Sequence, residues 1–472
     1  MKEYKIYAGG EFLISPEILP VFNPFNKEQI AQTYIANSDI LEKAILKAKS
    51  IEKELTELPA YIRYEILMQI ADTMKSRREE LASVLAQEAA KPMRYAVSEI
   101  NRAISTFIAA AEESKRPPME YIRLDWDPSG KGREGFVKYF PVGLVAGISP
   151  FNFPMNLAVH KIAPAIAAGC PIILKPARST PLSTLILAQI IDQTALPKGA
   201  VSILPMDRES GNQLVTDIRF KLLTFTGSPQ VGWKMKNDAG KKKVVLELGG
   251  NAGVIIAKSA DVEFAVKRCI VGAFAYSGQV CIHTQRIYVA KEIFKNFYEK
   301  FIDEVQKLKT GNPLDASTDI SSMIDEENAI RVEEWIKSAI ADGAELLCGG
   351  KRNGSIIEPA VITNTKNQMK VSCQEIFGPV VILEKFEKFE EAVAMVNESI
   401  FGLQAGVFTN HVDEMNYAFT NLHVGGVIHN DVSTFRVDHM PYGGIKESGL
   451  GREGVKYAIH DMMEPKILVK SF

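Results

Sequence analysis

Apolar residues change their spacing twice along this 472-residue chain, and the changes divide it into blocks. In the first block Ile40, Leu41, Ala44, Ile45, Ala48 and Ile51 fall on one stripe at helical spacing, with Ser38 in the capping position. Amphipathic patterns continue over residues 59–85 and 93–113, and their charged face (Lys75, Arg77, Arg78, Glu79, Glu80) reads as a solvated surface. Residues 1–37, ahead of these helices, read as short strand-like pieces punctuated by Gly and Pro. Pro117-Pro118 ends the helical block. Beyond it Ile122, Leu124 and Trp126 alternate with Arg123 and Asp125, and alternation returns over residues 136–140, which predicts a β-hairpin.

From Gly143 the pattern becomes one of short apolar runs separated by helices. Runs at residues 144–148, 171–174, 201–204 and 221–225 alternate with helical stretches opening near Asn156, Pro181 and Glu209. That alternation implies a parallel sheet covered on both faces. It resumes after Glu247, with runs at residues 254–257, 286–289, 379–383, 405–408 and 424–428, so a second α/β unit is expected. Residues 463–472 add one more strand.

A chain of this length exceeds one ordinary core, and the length prior is about three domains. Hydrophobic residues at 46% and charged residues at 24% suit a soluble globular protein. A formal net charge of −2 offers no basic excess for neutralising phosphates, which argues against a nucleic acid or a membrane surface as partner. The N-terminal Met1-Lys2-Glu3-Tyr4-Lys5 lacks the apolar core of a signal peptide. The most apolar stretch, residues 142–174, carries His160, Lys161 and several prolines, and so is no membrane span. Five scattered cysteines without any Cys-x-x-Cys suit a reducing compartment and supply no metal-site spacing. No metal is expected, and the cytoplasm follows by default.

Two stretches match Gly-x-Gly-x-x-Gly literally, but that turn needs a strand before it and a helix after it. Gly130 to Gly135 is followed by a strand, and Gly449 to Gly454 leaves too little chain for an acidic ribose partner. Neither reads as a dinucleotide turn. The chemistry gathers elsewhere. A helical pattern over residues 261–274 runs into Ala275-Tyr276-Ser277-Gly278-Gln279-Val280-Cys281, where Gly278 permits a sharp turn that delivers one thiol. Upstream, Glu247-Leu248-Gly249-Gly250 sets a carboxylate at a strand end. Taken singly these residues stay ambiguous: Cys281 fits a small buried hydrophobe, Asn152 a turn, and Glu247 an ion-paired surface.

Taken together they do not. Ser149-Pro150-Phe151-Asn152-Phe153-Pro154, Leu174-Lys175-Pro176-Ala177, Phe225-Thr226-Gly227-Ser228, Gln374-Glu375-Ile376-Phe377-Gly378-Pro379 and Tyr442-Gly443-Gly444-Ile445-Lys446-Glu447-Ser448-Gly449 occur in order around the Glu247 and Cys281 motifs. With these the chain resembles an NAD(P)-dependent aldehyde dehydrogenase over essentially its whole length. The resemblance implies an α/β fold of two Rossmann-like parallel-sheet domains plus a small β oligomerisation arm. Residues 1–117 and 141–247 would form the cofactor-binding domain, 248–441 the catalytic domain, and 118–140 with 442–472 the arm of a homodimer or homotetramer.

The implied chemistry is oxidation of an aldehyde to a carboxylic acid through a thiohemiacetal and a thioester. A free carbonyl carbon has no electron pair to expel as hydride, and addition of a thiolate supplies one. Cys281 would be that nucleophile, Asn152 and the Cys281 backbone N–H would hold the oxyanion, and Glu247 would activate the thiol or the hydrolytic water. NAD or NADP would be the cofactor. Gly227-Ser228-Pro229-Gln230-Val231-Gly232 follows a strand and opens a helix, so its N–H groups suit a pyrophosphate. The resemblance also assigns Phe225, Thr226, Leu248, Gly249, Ser149, Pro150, Phe151 and Gly211 to the cofactor site. Lys175 and Ala177 would meet the adenosine ribose, and Glu375 with Phe377 the nicotinamide ribose. Many NAD-using relatives carry Glu where this chain has Arg178, a departure that removes a carboxylate repelling a 2′-phosphate.

For the substrate, Val280 and Ile282 flank the thiol, while Arg102, His160, Arg436, His439 and Tyr442 offer charge or donors. Residues 432–442 resemble the branch of lactaldehyde, phosphonoacetaldehyde and non-phosphorylating glyceraldehyde-3-phosphate dehydrogenases. The phosphate and phosphonate enzymes share an Arg beside the nucleophile, and Val280 in that place argues against an anionic headgroup. A small polar aldehyde is expected: lactaldehyde, glyceraldehyde or a semialdehyde. Three rivals stand beside this reading. Relatives that pass the acyl group to coenzyme A lack the base that Glu247 provides. A non-catalytic scaffold need not keep these residues. A Cys281–His283 dyad would place both side chains on one side of an extended strand, but leaves the cofactor motifs unexplained.

Overall fold

In the computed structural model, which describes residues 2–472, the two apolar blocks become two sheets. The first has eight strands. Its five central strands, Lys243–Glu247, Leu222–Thr226, Val145–Ile148, Ile172–Lys175 and Val201–Ile203, lie side by side in that order and run parallel. Gly449–Leu450 closes one edge antiparallel, and Ile6–Ala8 with Glu11–Leu13 closes the other. Chain order reverses at Val145–Ile148, which sits between Ile172–Lys175 and Leu222–Thr226. Ligands of open α/β sheets bind beyond the carboxyl ends of strands at such a switch point. Ser149-Pro150 and Gly227-Ser228 leave the sheet there.

The second sheet has seven strands, six of them parallel, in the order Glu345–Cys348, Ala360–Thr363, Val380–Phe386, Thr284–Ala290, Ala252–Ile256, Gln404–Phe408 and Gly426–His429. The pair Glu345–Cys348 and Ala360–Thr363 escapes the sequence reading. The first is a half-buried antiparallel edge with a register shift, and both border a Gly-rich turn. Glu247 ends the last parallel strand of the first sheet, and Ala252 opens an interior strand of the second. Four residues therefore carry the chain from one sheet to the other.

Several boundaries differ from expectation. Asn37, not Ser38, caps the first helix, its side chain accepting the Ile40 N–H at 3.0 Å. The pattern over residues 59–85 is two helices, Ala60–Ser76 and Arg78–Ala89, because Arg77 leaves helical geometry at φ −102°. The hairpin forms from Met119–Arg123 and Arg133–Pro141, with Trp126 beyond it in solvent. Met463–Ser471 pairs along the whole of Arg133–Pro141, giving a three-stranded sheet. The rest of 442–472 does not join the arm. Gly449–Leu450 pairs with Lys243–Glu247, and Val455–Asp461 packs on the helix Pro154–Ala168 because Val455, Ile459 and Met462 need a core to enter. No helix is long and apolar enough to cross a membrane among the described residues.

The helix Pro154–Ala168 is buried along its entire length, His160 and Lys161 included. Its first turn rests on a fully buried ion pair between Lys91 and Glu99. Glu99 Oε1 accepts the N–H groups of Met155 and Asn156 at 3.0 and 3.1 Å, where a carboxylate suits the helix N-terminus. Lys91 Nζ donates to the Asn152 carbonyl at 2.6 Å and lies 3.9 and 4.3 Å from the ring centres of Phe153 and Tyr276. Removing one partner of a buried pair leaves the other charge uncompensated, so Lys91→Met is expected to cost about 3–5 kcal/mol. Adding Glu99→Gln removes the orphaned charge and recovers part of that loss. Urea unfolding midpoints of the single and double variants check the order.

Candidate active site

The thiol is presented by a strained turn. The helix Val262–Phe274 is capped by Asp261, which accepts the Phe264 N–H at 3.0 Å. Past its end Tyr276 and Ser277 adopt left-handed backbone, φ 50° and 53°, at a cost of ~1 kcal/mol or more each. Tertiary bonds hold them there: the Tyr276 hydroxyl donates to the Ala89 carbonyl at 2.9 Å, and Ser277 Oγ to the Ser321 carbonyl at 2.8 Å. Gly278 follows at φ 69°, where a Cβ would lie 2.1 Å from the Gly378 carbonyl oxygen. From the opposite side Gly250 approaches so closely that its Cβ would meet the Cys281 carbonyl oxygen at 2.1 Å.

Cys281 emerges among Val280, Ile282, Leu403, Phe153 and Tyr442. Burial pushes its thiol up to about 11, against the pull of the Tyr442 hydrogen bond and then of Arg436. Its hydrogen-bond partner is the Tyr442 hydroxyl at 3.0 Å. Asn152 Nδ2 donates one N–H to the Gln279 carbonyl at 3.0 Å, two residues before the thiol, and carries a second. His283 is elsewhere. Residues 281–282 form a turn rather than a strand, and His283 is buried with a hydrogen bond to the Ala273 backbone. Burial lowers it to about 4, so the Cys281–His283 dyad has neither the geometry nor the basicity it needs.

Glu247 is buried beside Gly443, and neither carboxylate oxygen has a hydrogen-bond partner. Burial, then the charge of Glu453, raise its pKa well above the ordinary carboxylate range. Glu453 is the ionised member of the pair: burial would raise it too, but Lys161, Arg436 and His160 bring it down. Lys161 Nζ donates to Thr226 Oγ1, Thr224 Oγ1 and Glu453 Oε1 at 2.8, 3.0 and 3.4 Å. Arg436 donates to Glu453 Oε2 at 3.0 Å and lies 3.6 Å over the Tyr442 ring.

A second carboxylate, Asp438, gathers the remaining polar residues. It accepts from Arg102 at 2.7 and 3.2 Å, from Asn156 Nδ2 at 3.2 Å, and lies 2.7 Å from His160 Nε2. Burial opposes its ionisation, yet His160 and then Arg102 hold it well below the usual carboxylate range. His160, expected at the substrate, is therefore a correction. It faces inward from a buried helix, 2.7 Å from Asp438 and 3.4 Å from Arg436, whereas Arg102 keeps 26% of its side chain exposed. His439 is exposed, next to the network but not in it. Lys91, Glu99, Lys161, Asp438 and Glu453 are absent from the sequence reading of the site. The one available signal was a lysine inside an otherwise apolar helix at Lys161.

A cleft of about 980 Å³ runs from this cluster to the first sheet, lined by Pro150, Phe151, Thr226, Gly227, Ser228, Trp233, Leu248, Gly249, Glu375 and Phe377, and reaching Asn152, Glu247 and Cys281. The helix Pro229–Asp238 opens into it, with Ser228 at its N-cap. Val231 is on that helix, partly exposed, and Phe225 packs beneath its Gly232. Glu375 Oε1 accepts the Gly250 N–H at 2.9 Å, and burial pushes Glu375 up to about 7. Phe377 meets Phe151 edge to face at 5.9 Å. Ser149 Oγ is buried without a partner. Lys175 ends its strand with its side chain over Gly211, its pKa lowered by burial and then by Arg178. Ala177 is half-buried, and Arg178 is exposed with no ion pair among the described residues. Length, helix terminus and buried acceptors fit a dinucleotide.

Comparison with known proteins gives the same answer. The family model described as the aldehyde dehydrogenase family matches residues 14–468. A 3-sulfolactaldehyde dehydrogenase of Priestia aryabhattai is 43% identical over 470 residues, 99% of this chain and 98% of that one. The crystal structure of aldehyde dehydrogenase 21 from Physcomitrella patens, in complex with the reaction product succinate, superposes with a TM-score of 0.98 at 45% identity, covering 100% of this chain and 98% of that one. The glyceraldehyde-3-phosphate dehydrogenase GapN from Methanocaldococcus jannaschii, complexed with NADP, does so with a TM-score of 0.93 at 39% identity, covering 97% and 100%. The thiol turn and the nucleotide cleft thus sit in a chain that belongs to the aldehyde dehydrogenase family and is an NAD(P)-dependent oxidoreductase.

Proposed function

We propose that Cys281 is the nucleophile in the oxidation of a small polar aldehyde to a free acid, with Asn152 as oxyanion donor and Glu247 as hydrolytic base. The observation that carries this reading is the meeting of Cys281, Asn152 and Glu247 at one end of the nucleotide cleft. Sulfur attacks the carbonyl carbon, and the carbonyl oxygen takes the electron pair. The free N–H of Asn152 and the Cys281 backbone N–H receive that oxygen, and one such donor is commonly worth about 3–4 kcal/mol of barrier. Bound NAD(P)⁺ supplies the hydride acceptor. Glu247, once ionised, takes a proton from water as the water attacks the thioester, and this base separates the reading from acyl transfer to coenzyme A. The pyrophosphate belongs at the Gly227–Ser228 turn, one ribose with Lys175, and the other with Glu375 Oε2.

The substrate end is framed by Phe153, Tyr442, Val280 and Ile282, with Arg102 at its rim. Val280 removes the arginine beside the nucleophile, and Arg102, 5.9 Å from the Phe153 ring, supplies positive charge farther out. A carboxylate or hydroxyl tail suits that placement, in keeping with relatives named for sulfolactaldehyde and a neighbour holding succinate. A panel of lactaldehyde, glyceraldehyde and succinic semialdehyde ranks the tails by kcat/KM.

Cys281→Ala is expected to abolish oxidation while binding cofactor as the wild type does, measured by nucleotide titration alongside turnover. Glu247→Gln should give one burst of reduced cofactor and slow turnover. Because burial and the charge of Glu453 raise Glu247, it holds its proton through the ordinary carboxylate range and gains its base form only as pH rises above that range. Steady-state hydrolysis should climb along that limb in the wild type, and the limb should be missing in the variant. Loss of the burst itself would assign Glu247 to thiol activation instead.

Arg178 favours NADP⁺. A guanidinium–phosphate contact is worth roughly 1.5–3 kcal/mol, about ten- to a hundredfold in binding. Arg178→Glu should lower kcat/KM with NADP⁺ relative to NAD⁺ by that factor, and a ratio unchanged within about twofold removes Arg178 from cofactor choice.

Residues 1–117 and 141–247 serve as the cofactor unit, 248–441 as the catalytic unit, and 118–140 with 463–472 as the arm of a cytoplasmic homodimer or homotetramer. The arm carries exposed Met119, Tyr121, Ile467, Leu468, Val469 and Phe472 and two open strand edges, a surface that a second copy covers. Deleting residues 463–472 should yield monomers or aggregates by light scattering, and an unchanged oligomer rules the arm out.

A further inference from the structure

The thiol and the carboxylate expected to activate it share no hydrogen bond. The Cys281 partner is the Tyr442 hydroxyl at 3.0 Å, while Glu247 has no hydrogen-bond partner and one of its oxygens lies beside Gly443. Tyr442 is held with unusual completeness for a residue that would only brush a substrate. Its N–H donates to the Glu453 carbonyl at 2.9 Å, and its carbonyl accepts the Glu453 N–H at 2.6 Å. The Glu453 side chain grips Arg436, and the Arg436 guanidinium lies 3.6 Å over the Tyr442 ring. Backbone, ion pair and cation–π contact thus close a loop whose free end is one hydroxyl aimed at sulfur.

We propose that Tyr442 is a catalytic residue: its hydroxyl donates to the Cys281 thiolate and holds that anion in line for attack. The inference rests on Cys281 being the nucleophile. The thiol proton leaves to water through the cleft, and Tyr442 keeps its own proton throughout. As the sulfur lone pair forms the S–C bond, the carbonyl pair moves to oxygen and onto Asn152. The hydroxyl then loses its charged acceptor, because thioether-like sulfur accepts weakly. The stabilisation is strongest before attack, so part of it must be given up on the way to the adduct, and the hydroxyl is freed to meet the substrate tail.

The charged and titratable groups around the thiol make this donor necessary. Glu375 from one side and Glu247 from another oppose a negative sulfur when ionised, and burial opposes it further. Arg436 is the one cation whose field favours it, and its guanidinium is engaged by Glu453 and spread over the Tyr442 ring. A guanidinium on the ring face draws electron density from the phenol and strengthens its O–H as a donor. Arg436 therefore acts on sulfur both through space and through Tyr442.

The test uses the full-length enzyme without cofactor and Tyr442→Phe, which deletes one oxygen and keeps the ring under Arg436. Iodoacetamide alkylation of Cys281 is followed at pH 8 by peptide mass spectrometry, in parallel with loss of activity. A charge-assisted hydrogen bond is worth about ten- to a hundredfold in ionisation, partly offset by the higher nucleophilicity of a more basic thiolate. The alkylation rate constant should fall about three- to tenfold, kcat/KM should fall with it, and the alkaline shift of the alkylation profile should match. Equal alkylation in the two proteins, with kcat/KM intact or reduced, overturns the inference and leaves Tyr442 a substrate contact. Full alkylation of Cys281 in the wild type without loss of activity would instead overturn the reading of Cys281 as nucleophile, and the inference falls with it.

Discussion

A lysine cation with no solvent contact is the constraint around which the site is arranged. Lys91 has given up its water shell, and everything that replaces that shell is a part of the active site or its support: Glu99, the Asn152 carbonyl, and the ring faces of Phe153 and Tyr276. Desolvation of an isolated charge costs several kcal/mol, so these groups cannot drift apart without exposing the cation to a medium that does not solvate it. Asn152 is thus fixed by its main chain, which leaves its amide free to point at Gln279 and the oxyanion position. Tyr276 is fixed by its ring, which holds the left-handed turn that presents Cys281. One charge ties the main chain at Asn152 to the turn that precedes Cys281.

The second buried cluster does different work. Lys161, Glu453, Arg436 and Glu247 share a volume in which two carboxylates cannot both stay ionised cheaply. Glu453 takes both cations and keeps its charge; Glu247 is left without a partner and keeps its proton. The cluster raises the pKa of a carboxyl that ends a strand and lines the cleft. Behind it, Asp438 holds Arg102 in place with help from His160 and Asn156, so the rim guanidinium is anchored to the buried helix Pro154–Ala168.

Much of this was legible in the residues. Runs such as 221–225 and 286–289 read as buried strands because their apolar periodicity survives in the fold, and Gly278 announced its turn because glycine enters left-handed backbone without steric cost. The edge strand Glu345–Cys348 did not read, since half-buried antiparallel edges carry little periodicity. Cys281 and Glu247 were found through the motifs around them. Lys91, Glu99 and Glu453 were not, because a charged residue in a helix or a link is written the same way whether it meets solvent or a partner distant in the chain. Only packing separates the two. The pairing of Tyr442 with sulfur was hidden for the same reason: its position spoke of a cavity wall, and the bond spans 161 residues.

The pairing of Met463–Ser471 with Arg133–Pro141, and of Gly449–Leu450 with Lys243–Glu247, also governs how the protein is made. Residues near 140 and 247 are synthesised long before their partner strands exist. At translation speeds of about 5–20 residues per second, the hairpin and the rim of the first sheet wait on the order of tens of seconds with unpaired edges. The first sheet therefore keeps one edge open until late in synthesis, although its five parallel strands are all present by residue 247. Its completion is deferred until residues 449–471 arrive. That order leaves a nearly finished sheet with an unpaired edge during synthesis, the kind of edge on which strands aggregate.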